Sequence, residues 1–270
     1  MISIIIPVYN QLHYTKWCLD SLSVNKSLDA QILVIDNGSS DGTAEYLTRR
    51  TDVTVISNQQ NLGCAGAWNQ GVRETVSEWL LFLNNDVLLS PSWLEELLAF
   101  AEDRGFDVVS PAIREGDYNY DINTYSRDFV GRMARFTREG VADGICFMVR
   151  RRVFETIGLF DENFRIGQFE DTDFFRRARA AGFCLGTTGR AFIHHFGSIT
   201  QNSIRKSKQA RPYEAENRAY YRRKWKLTWW RRFWEKRLAR FRELLWRTVE
   251  LTCQGHTLRE KWLGGRLRYY

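Results

Sequence analysis

The sequence predicts a three-layer α/β protein: a mostly parallel central sheet, helices on both faces, and a helical extension at the C-terminus. Three observations predict it. Short apolar runs recur with helical stretches between them, the rhythm of parallel β-α-β units. The runs are uninterrupted rather than alternating, as strands buried on both faces must be. Each run ends in polar residues, and the carboxyl ends of the strands are where open α/β sheets bind ligands.

The elements follow in order. Ser3–Val8 is a β-branched strand that delivers Tyr9 and Asn10. Leu12, Lys16, Leu19 and Leu22 carry helical spacing. Ile32–Ile35 is a second strand, ending at Asp36, and Asp41 is placed to cap a helix over Thr43–Arg50. Val53–Ile56 is a third strand, followed by Asn58 and Asn61, and a small-residue helix begins near Ala65. Leu80–Leu83 is the fourth, running straight into Asn84-Asn85-Asp86. A carboxylate held there beside two amides suits a hard divalent cation shared with substrate phosphates.

Ser92–Glu102 is an amphipathic helix, and Val108–Pro111 a further strand. Residues 113–132 are polar, aromatic and irregular, either a mobile flap over the site or an edge excursion. Val141–Val149 is a strand, Arg150–Ile157 a short helix, and Glu170 opens a helix ending at Gly182. Glu170, Asp171 and Asp173 suit a helix N-terminus on dipole grounds alone. Phe192–Ser198 is a strand carrying His194 and His195, and an imidazole beside a carboxylate-bound cation completes its coordination.

Composition narrows the class. The chain has 270 residues, 44% of them hydrophobic, enough for one large domain or a domain with an appendage. Five scattered cysteines with no C-x-x-C pair argue against disulfides or zinc and for a reducing, cytoplasmic setting. The start of the chain carries no basic leader and no spanning apolar run. The net charge of +7 concentrates between Arg205 and Arg247, which divides the chain into residues 1–205 and a basic, aromatic-rich extension over 206–270. There is no G-x-G-x-x-G and no P-loop pattern.

Taken together, these residues resemble the family-2 glycosyltransferases, inverting enzymes of the GT-A fold. The matching text is Ile4–Asn10, Val34–Gly42, Asn61-Leu62-Gly63, Ala67–Gly71, Leu83–Asp86, Asp143-Gly144, Gly158–Glu162 and Glu170–Asp173, closed by His195 with Gly197-Ser198. The likeness covers about residues 2–200 and is nearest the bacterial branch that builds cell-surface polysaccharides, rhamnosyltransferases included. It implies that Pro7, Tyr9, Asn10 and Asp36 hold the donor's nucleobase and ribose, with Asn61, Asn69 and Asn85 in the same pocket. It implies that Asp86 and His195 bind Mn²⁺ or Mg²⁺, and that Asp171 is the catalytic base, with Glu170 its neighbour and runner-up. One departure stands out: Asn84 takes the place of the first acid of the family's Asp-x-Asp, so metal affinity is expected to be weaker.

The expected substrates are a UDP-, dTDP- or GDP-sugar and a glycan or lipid-linked acceptor. Two other classes compete. A sugar-phosphate nucleotidylyltransferase needs a Gly-rich basic loop after the first strand, which Tyr9–Leu12 lacks. An inactive binding module has no use for Asp86, Asp171 and His195 together. In the extension, Trp230, Trp234, Leu238, Phe241, Leu245 and Val249 recur at steps of three or four. Such a basic, Trp-rich face fits the anionic inner surface of the cytoplasmic membrane, or packs on the catalytic domain or on a second subunit of a homo-oligomer. Basic charge permits nucleic-acid binding, but no recognition motif supports it.

Overall fold

The computed structural model describes residues 1–25, 29–197, 199 and 213–268. The expected boundary at 205/206 lies outside them. In chain order the first half comprises β1 (Ile2–Val8), α1 (Leu12–Asn25), β2 (Ala30–Asp36), α2 (Thr43–Leu47), β3 (Thr54–Ser57), α3 (Gly63–Arg73), β4 (Trp79–Leu83), β5 (Val87–Leu89) and α4 (Trp93–Arg104). Then come β6 (Val108–Gly116), α5 (Ile122–Met133), β7 (Thr137–Glu139), β8 (Cys146–Arg150), α6 (Arg151–Ile157), α7 (Glu170–Ala180) and β9 (Leu185–His195). The C-terminal part adds α8 (Tyr213–Lys224), α9 (Trp229–Gln254), β10 (Arg259–Leu263) and β11 (Arg266–Arg268).

One mixed sheet holds the strands in the order β11-β10-β6-β8-β4-β1-β2-β3, with β9 pairing to β5, β6 and β7. The pairs β4-β1, β1-β2 and β2-β3 are parallel, and β8 lies antiparallel between β4 and β6. This is the GT-A type α/β fold. Strand alternation divides the core between the two faces. Ile4, Ile6, Leu81 and Leu83 pack under α1 and α4, with Leu19, Leu22, Trp93 and Leu97. Ile5, Leu33, Leu80 and Phe82 pack under α3, α6 and α7, with Trp68, Val153 and Phe174. Phe82 is fully buried, its ring 4.9 Å from Phe147 and 5.1 Å from Phe160. Truncating such a ring costs about 3–5 kcal/mol, so β4 is anchored just before the residues it presents.

Two stretches differ from expectation. Residues 113–132 are not an irregular excursion. β6 runs on to Gly116, and α5 follows, capped by Asp121, whose side chain accepts from Thr124 N at 2.7 Å. Ile122, Ser126, Phe129 and Met133 form its buried face at helical spacing. Polar residues on the other face conceal that spacing in the sequence. The extension, in turn, is helical among the described residues over α8 and α9. Its last residues form a hairpin, and β10 joins β6 in parallel at the sheet edge.

Buried polar contacts hold it there. Arg138 on β7 hydrogen-bonds Glu250 through Nε and Nη2, both at 2.8 Å, and Glu243 through Nη1 at 2.9 and 3.0 Å. Arg114 lies over the rings of Tyr120, Tyr125 and Trp262 at 4.0, 4.7 and 4.2 Å. Breaking a buried ion pair by removing one partner typically costs about 3–5 kcal/mol, which makes Arg138 a strong tie between α9 and the sheet.

Candidate active site

The carboxyl ends of β1 and β4 open into a cavity of about 370 Å³. Its lining includes Pro7, Tyr9, Asn61, Asn85, Asp86, Glu170, Asp171 and His195, so eight of the eleven expected site residues meet there. Asn10, Asp36 and Asn69 are not in the wall. Asn10 Oδ1 accepts from Ser40 N at 2.7 Å, and Asp36 Oδ1 accepts from Ser39 N at 3.0 Å, so both brace the loop after β2. Asn69 is buried on α3. Its amide donates to Phe160 O (2.9 Å) and Glu162 Oε1 (2.7 Å), and its Oδ1 accepts from Phe160 N (3.0 Å). Through these bonds Asn69 braces the 158–164 turn. Asp41 likewise sits one residue before its helix cap, with Thr43 N on Oδ1 and Leu12 N on Oδ2.

Asp86 lies in the turn between β4 and β5, facing the end of β9. Its Oδ1 is 3.4 Å from His195 Nε2, while His195 Nδ1 is 3.7 Å from Glu115 Oε2. Burial opposes charge on both Asp86 and His195. The pairing outweighs it: Asp86 is held below the usual carboxylate range, and the imidazole is pushed up to about 10. His195 first and then Lys261, 2.8 Å away, hold Glu115 down to about 2 against burial.

Neither ring nitrogen of buried His195 makes a hydrogen bond of good geometry. Among the described residues no group of three or more His, Cys, Asp or Glu side chains is arranged to hold a metal. One carboxylate and one imidazole side by side fit a cation that displaces the imidazolium proton and takes its remaining ligands from a diphosphate and water.

The start of α7 also lines the cavity. Of its three acids, Asp173 is spent on structure, with Arg177 Nε, Lys224 Nζ and Trp225 Nε1 all at 2.8 Å. Glu170 and Asp171 face the cavity. Burial and the Asp171 charge push Glu170 well above the usual carboxylate range. Asp171 is raised by burial and by Asp143, against the N–H of Thr172, which donates to it at 2.6 Å. Cys64, on α3, has its thiol pushed up by burial and then by Glu170, Asp171 and Asp86 together, so the three acids surround one hollow.

Two backbone features set this wall. Gly144 carries no Cβ, and one there would collide with the Asp171 carboxylate. The loop before α7 is strained: Ile166, Gln168 and Phe169 have φ of 61, 74 and 75°. Such conformations cost of order 1–3 kcal/mol each and persist only when neighbours enforce them. Asn217 of α8 does so. Its amide nitrogen donates to Arg165 O, Gly167 O and Gln168 O at 2.9, 2.9 and 3.2 Å, and its Oδ1 accepts from Arg165 N at 3.0 Å. Arg259, from β10, also reaches the cavity, 3.3 Å from Asp143. Asn217, Arg259 and Glu115 are absent from the sequence-based set. Only tertiary contacts bring them in, and no local pattern marks them.

The Glycosyl transferase family 2 model matches residues 3–158, more than half of the chain. The chain belongs to glycosyl transferase family 2. Among its relatives, the glycosyltransferase AglE of Haloferax volcanii is 27% identical over 193 residues, covering 68% of this chain and 63% of AglE. An uncharacterized glycosyltransferase of Rickettsia typhi is 26% identical over 61% of this chain and 55% of its own length. The chain therefore spans less than two thirds of these family 2 relatives. Among solved structures, S. aureus TarS (residues 1–349) superposes with a TM-score of 0.57 at 16% identity, over 77% of this chain and 66% of TarS. GalNAc-T7, solved with UDP, GalNAc and Mn²⁺, gives 0.58 at 18% identity, over 73% of this chain and 44% of its own. At such identities the likeness is one of fold.

Proposed function

We propose that the chain transfers a sugar, with inversion, from a nucleoside diphosphate sugar to a hydroxyl of a glycan or lipid-linked acceptor in cell-surface polysaccharide synthesis, rhamnosyl transfer included. One observation carries this: a single cavity is lined both by an Asp86–His195 pair and by Asp171, its pKa raised. Pro7, Tyr9, Asn61 and Asn85 line the side where the nucleoside lies. Asp86 and His195 hold the diphosphate end, and they are the residues that would hold Mn²⁺ or Mg²⁺. When bound, that ion supplies Lewis-acid stabilisation of the departing diphosphate.

The chain's own residues do the rest. The acceptor oxygen attacks the anomeric carbon as the bond from that carbon to the diphosphate oxygen breaks, and the electron pair leaves with the diphosphate. The hydroxyl proton passes to the Asp171 carboxylate. A base works best when its pKa lies near the working pH, and burial beside Asp143 moves Asp171 in that direction. Glu170, also raised by burial and by the Asp171 charge, holds the pair's proton and spares Asp171 a second adjacent charge. Attack opposite the leaving group inverts the centre.

A thermal-shift screen of UDP-, dTDP- and GDP-sugars with Mn²⁺ identifies the donor. With that donor, Asp171→Asn lowers kcat at least ~100-fold and leaves nucleotide affinity intact. Near-normal turnover in Asp171→Asn removes it as base. Asp86→Ala abolishes the metal response, and equal donor affinity with and without metal in the wild type refutes the ligand assignment.

We further propose that α9 lies on the anionic inner surface of the cytoplasmic membrane. Its inward face is occupied by Glu235, Glu243 and Glu250, which pair with Arg176 and Arg138. The opposite face leaves Trp230, Trp234, Leu238, Phe241 and Leu245 each more than half exposed. Arg231, Arg232, Arg237 and Arg240 flank it, the composition of a helix lying in an anionic interface. Among the described residues no helix is long and apolar enough to cross a membrane. Co-sedimentation with phosphatidylglycerol vesicles tests this. Binding to anionic but not neutral vesicles supports it, while a dimer in solution that ignores both kinds assigns the face to a second copy.

A further inference from the structure

A second hollow, of about 240 Å³, adjoins the first and shares Asp143 and Arg259 with it. Its far wall is the inward face of α9, through Ala239, Arg242 and Trp246. The charges around it do not balance. Glu243 is spent on Arg138. Arg259 stands 3.3 Å from Asp143 but makes no side-chain hydrogen bond among the described residues. Arg242 has neither an ion pair nor a hydrogen bond among them, and its guanidinium lies over the Trp246 ring, 4.9 Å from the centroid. A guanidinium stacked on an indole keeps its fork of N–H donors free for a carboxylate or phosphate.

We infer that this hollow receives the acceptor, and that the acceptor carries an oxyanion, a carboxylate or a phosphate, bound by Arg242 and Arg259. The inference rests on the transfer reaction proposed above. Asp143, which lines both hollows, is one residue from the Gly144 that seats the Asp171 carboxylate, so the second hollow adjoins the cavity beside the proposed base. At 240 Å³ the space is below the ~300–1,000 Å³ of pockets for drug-sized ligands, so it suits one sugar unit rather than a long chain. The outer face of the same helix is the one proposed to meet lipid, which sets the hollow close to a membrane-borne acceptor.

Saturation-transfer NMR on the full chain, with the nucleoside diphosphate selected by thermal shift held at saturation, tests this. The probes are methyl β-glucuronide, glucose 1-phosphate and neutral methyl β-glucoside. At least one anionic probe binds about tenfold tighter than the neutral one, the scale of a charge-assisted hydrogen bond, and which of the two does so separates carboxylate from phosphate. Ala239→Trp fills the hollow and abolishes sugar binding, Arg242→Ala removes the anionic preference, and both keep nucleotide affinity within about twofold. Equal binding of all three sugars, or an anionic preference that survives both variants, overturns the inference. A wild-type chain that binds no nucleoside diphosphate overturns the transfer reaction itself and the acceptor site with it.

Discussion

Asn217→Ala tests how the C-terminal part governs chemistry it does not touch. The side chain is 1% exposed, and its four hydrogen bonds all go to residues 165–168. Truncation leaves the Arg165 N–H without its acceptor, while Arg165 O keeps the Gly167 N–H as donor. An unsatisfied buried group costs about 1–3 kcal/mol, and each lost bond about 0.5–1.5, so a loss near 3 kcal/mol is expected. The strained φ angles of Ile166, Gln168 and Phe169 then relax, and α7 begins at the next residue. A displacement of the base by about 1 Å is enough to cost up to ~100-fold in rate. The assay pairs thermal unfolding with kcat and a nucleotide titration. The expected result is a lower Tm, kcat down at least ~10-fold at temperatures where the variant is folded, and nucleotide affinity within about twofold, since Asp86 and His195 stand on other elements. Asn217→Asp keeps the acceptor for Arg165 N and ranks between the two. Full kcat in folded Asn217→Ala refutes the idea that the clamp positions Asp171.

Three further outcomes are expected. Gly144→Ala drives a methyl into the Asp171 carboxylate, lowering kcat at least ~10-fold with nucleotide binding unchanged; a fall in nucleotide affinity alone contradicts this. The Glu170–Asp171 pair titrates as a unit whose pKa values lie above the usual carboxylate range, so kcat/KM falls as pH drops through them. Glu170→Gln keeps a neutral group beside Asp171 and leaves that acid limb in place, and a limb moved to lower pH in Glu170→Gln shows that Glu170 is charged when Asp171 ionises. Asp161 is half-buried, which opposes its charge, but it is held down to about 2, chiefly by Lys224 at 2.6 Å, which ties α8 to the 158–164 turn. Its folded pKa is depressed, so its contribution is complete above ~4 and lost as pH falls through about 2. After solvent screening it amounts to about 1 kcal/mol, and Asp161→Asn is destabilised by that amount at pH 7 but not near pH 2.

The fold was legible because its signals are local. Ile4–Val8, Ile32–Ile35 and Leu80–Leu83 are uninterrupted apolar runs, as strands buried on both faces are. The placement of Asp86 at the end of β4 follows from that run alone. What sequence could not carry is arrangement set by distant partners. Asn69 sits between donor-type motifs yet turns toward Phe160, because a buried amide takes the nearest backbone groups. The hairpin at Arg259–Arg268 escapes notice because its contacts are charged and aromatic: Trp262 covers Arg114, Lys261 meets Glu115, and no apolar run results. Asn217 and Arg259 lie tens of residues beyond the last family motif and reach the site only through folding of the extension.

In the proposed transfer Asp86 and His195 hold the diphosphate end of the cavity and Asp171 the acceptor end. Crystals grown with the selected nucleoside diphosphate and Mn²⁺, measured at the manganese absorption edge, locate the ion. The expected result is one anomalous peak coordinated by Asp86, His195 and the diphosphate, with Asp171 free of metal. A peak on Glu170 and Asp171, or nucleotide bound outside this cavity, contradicts it.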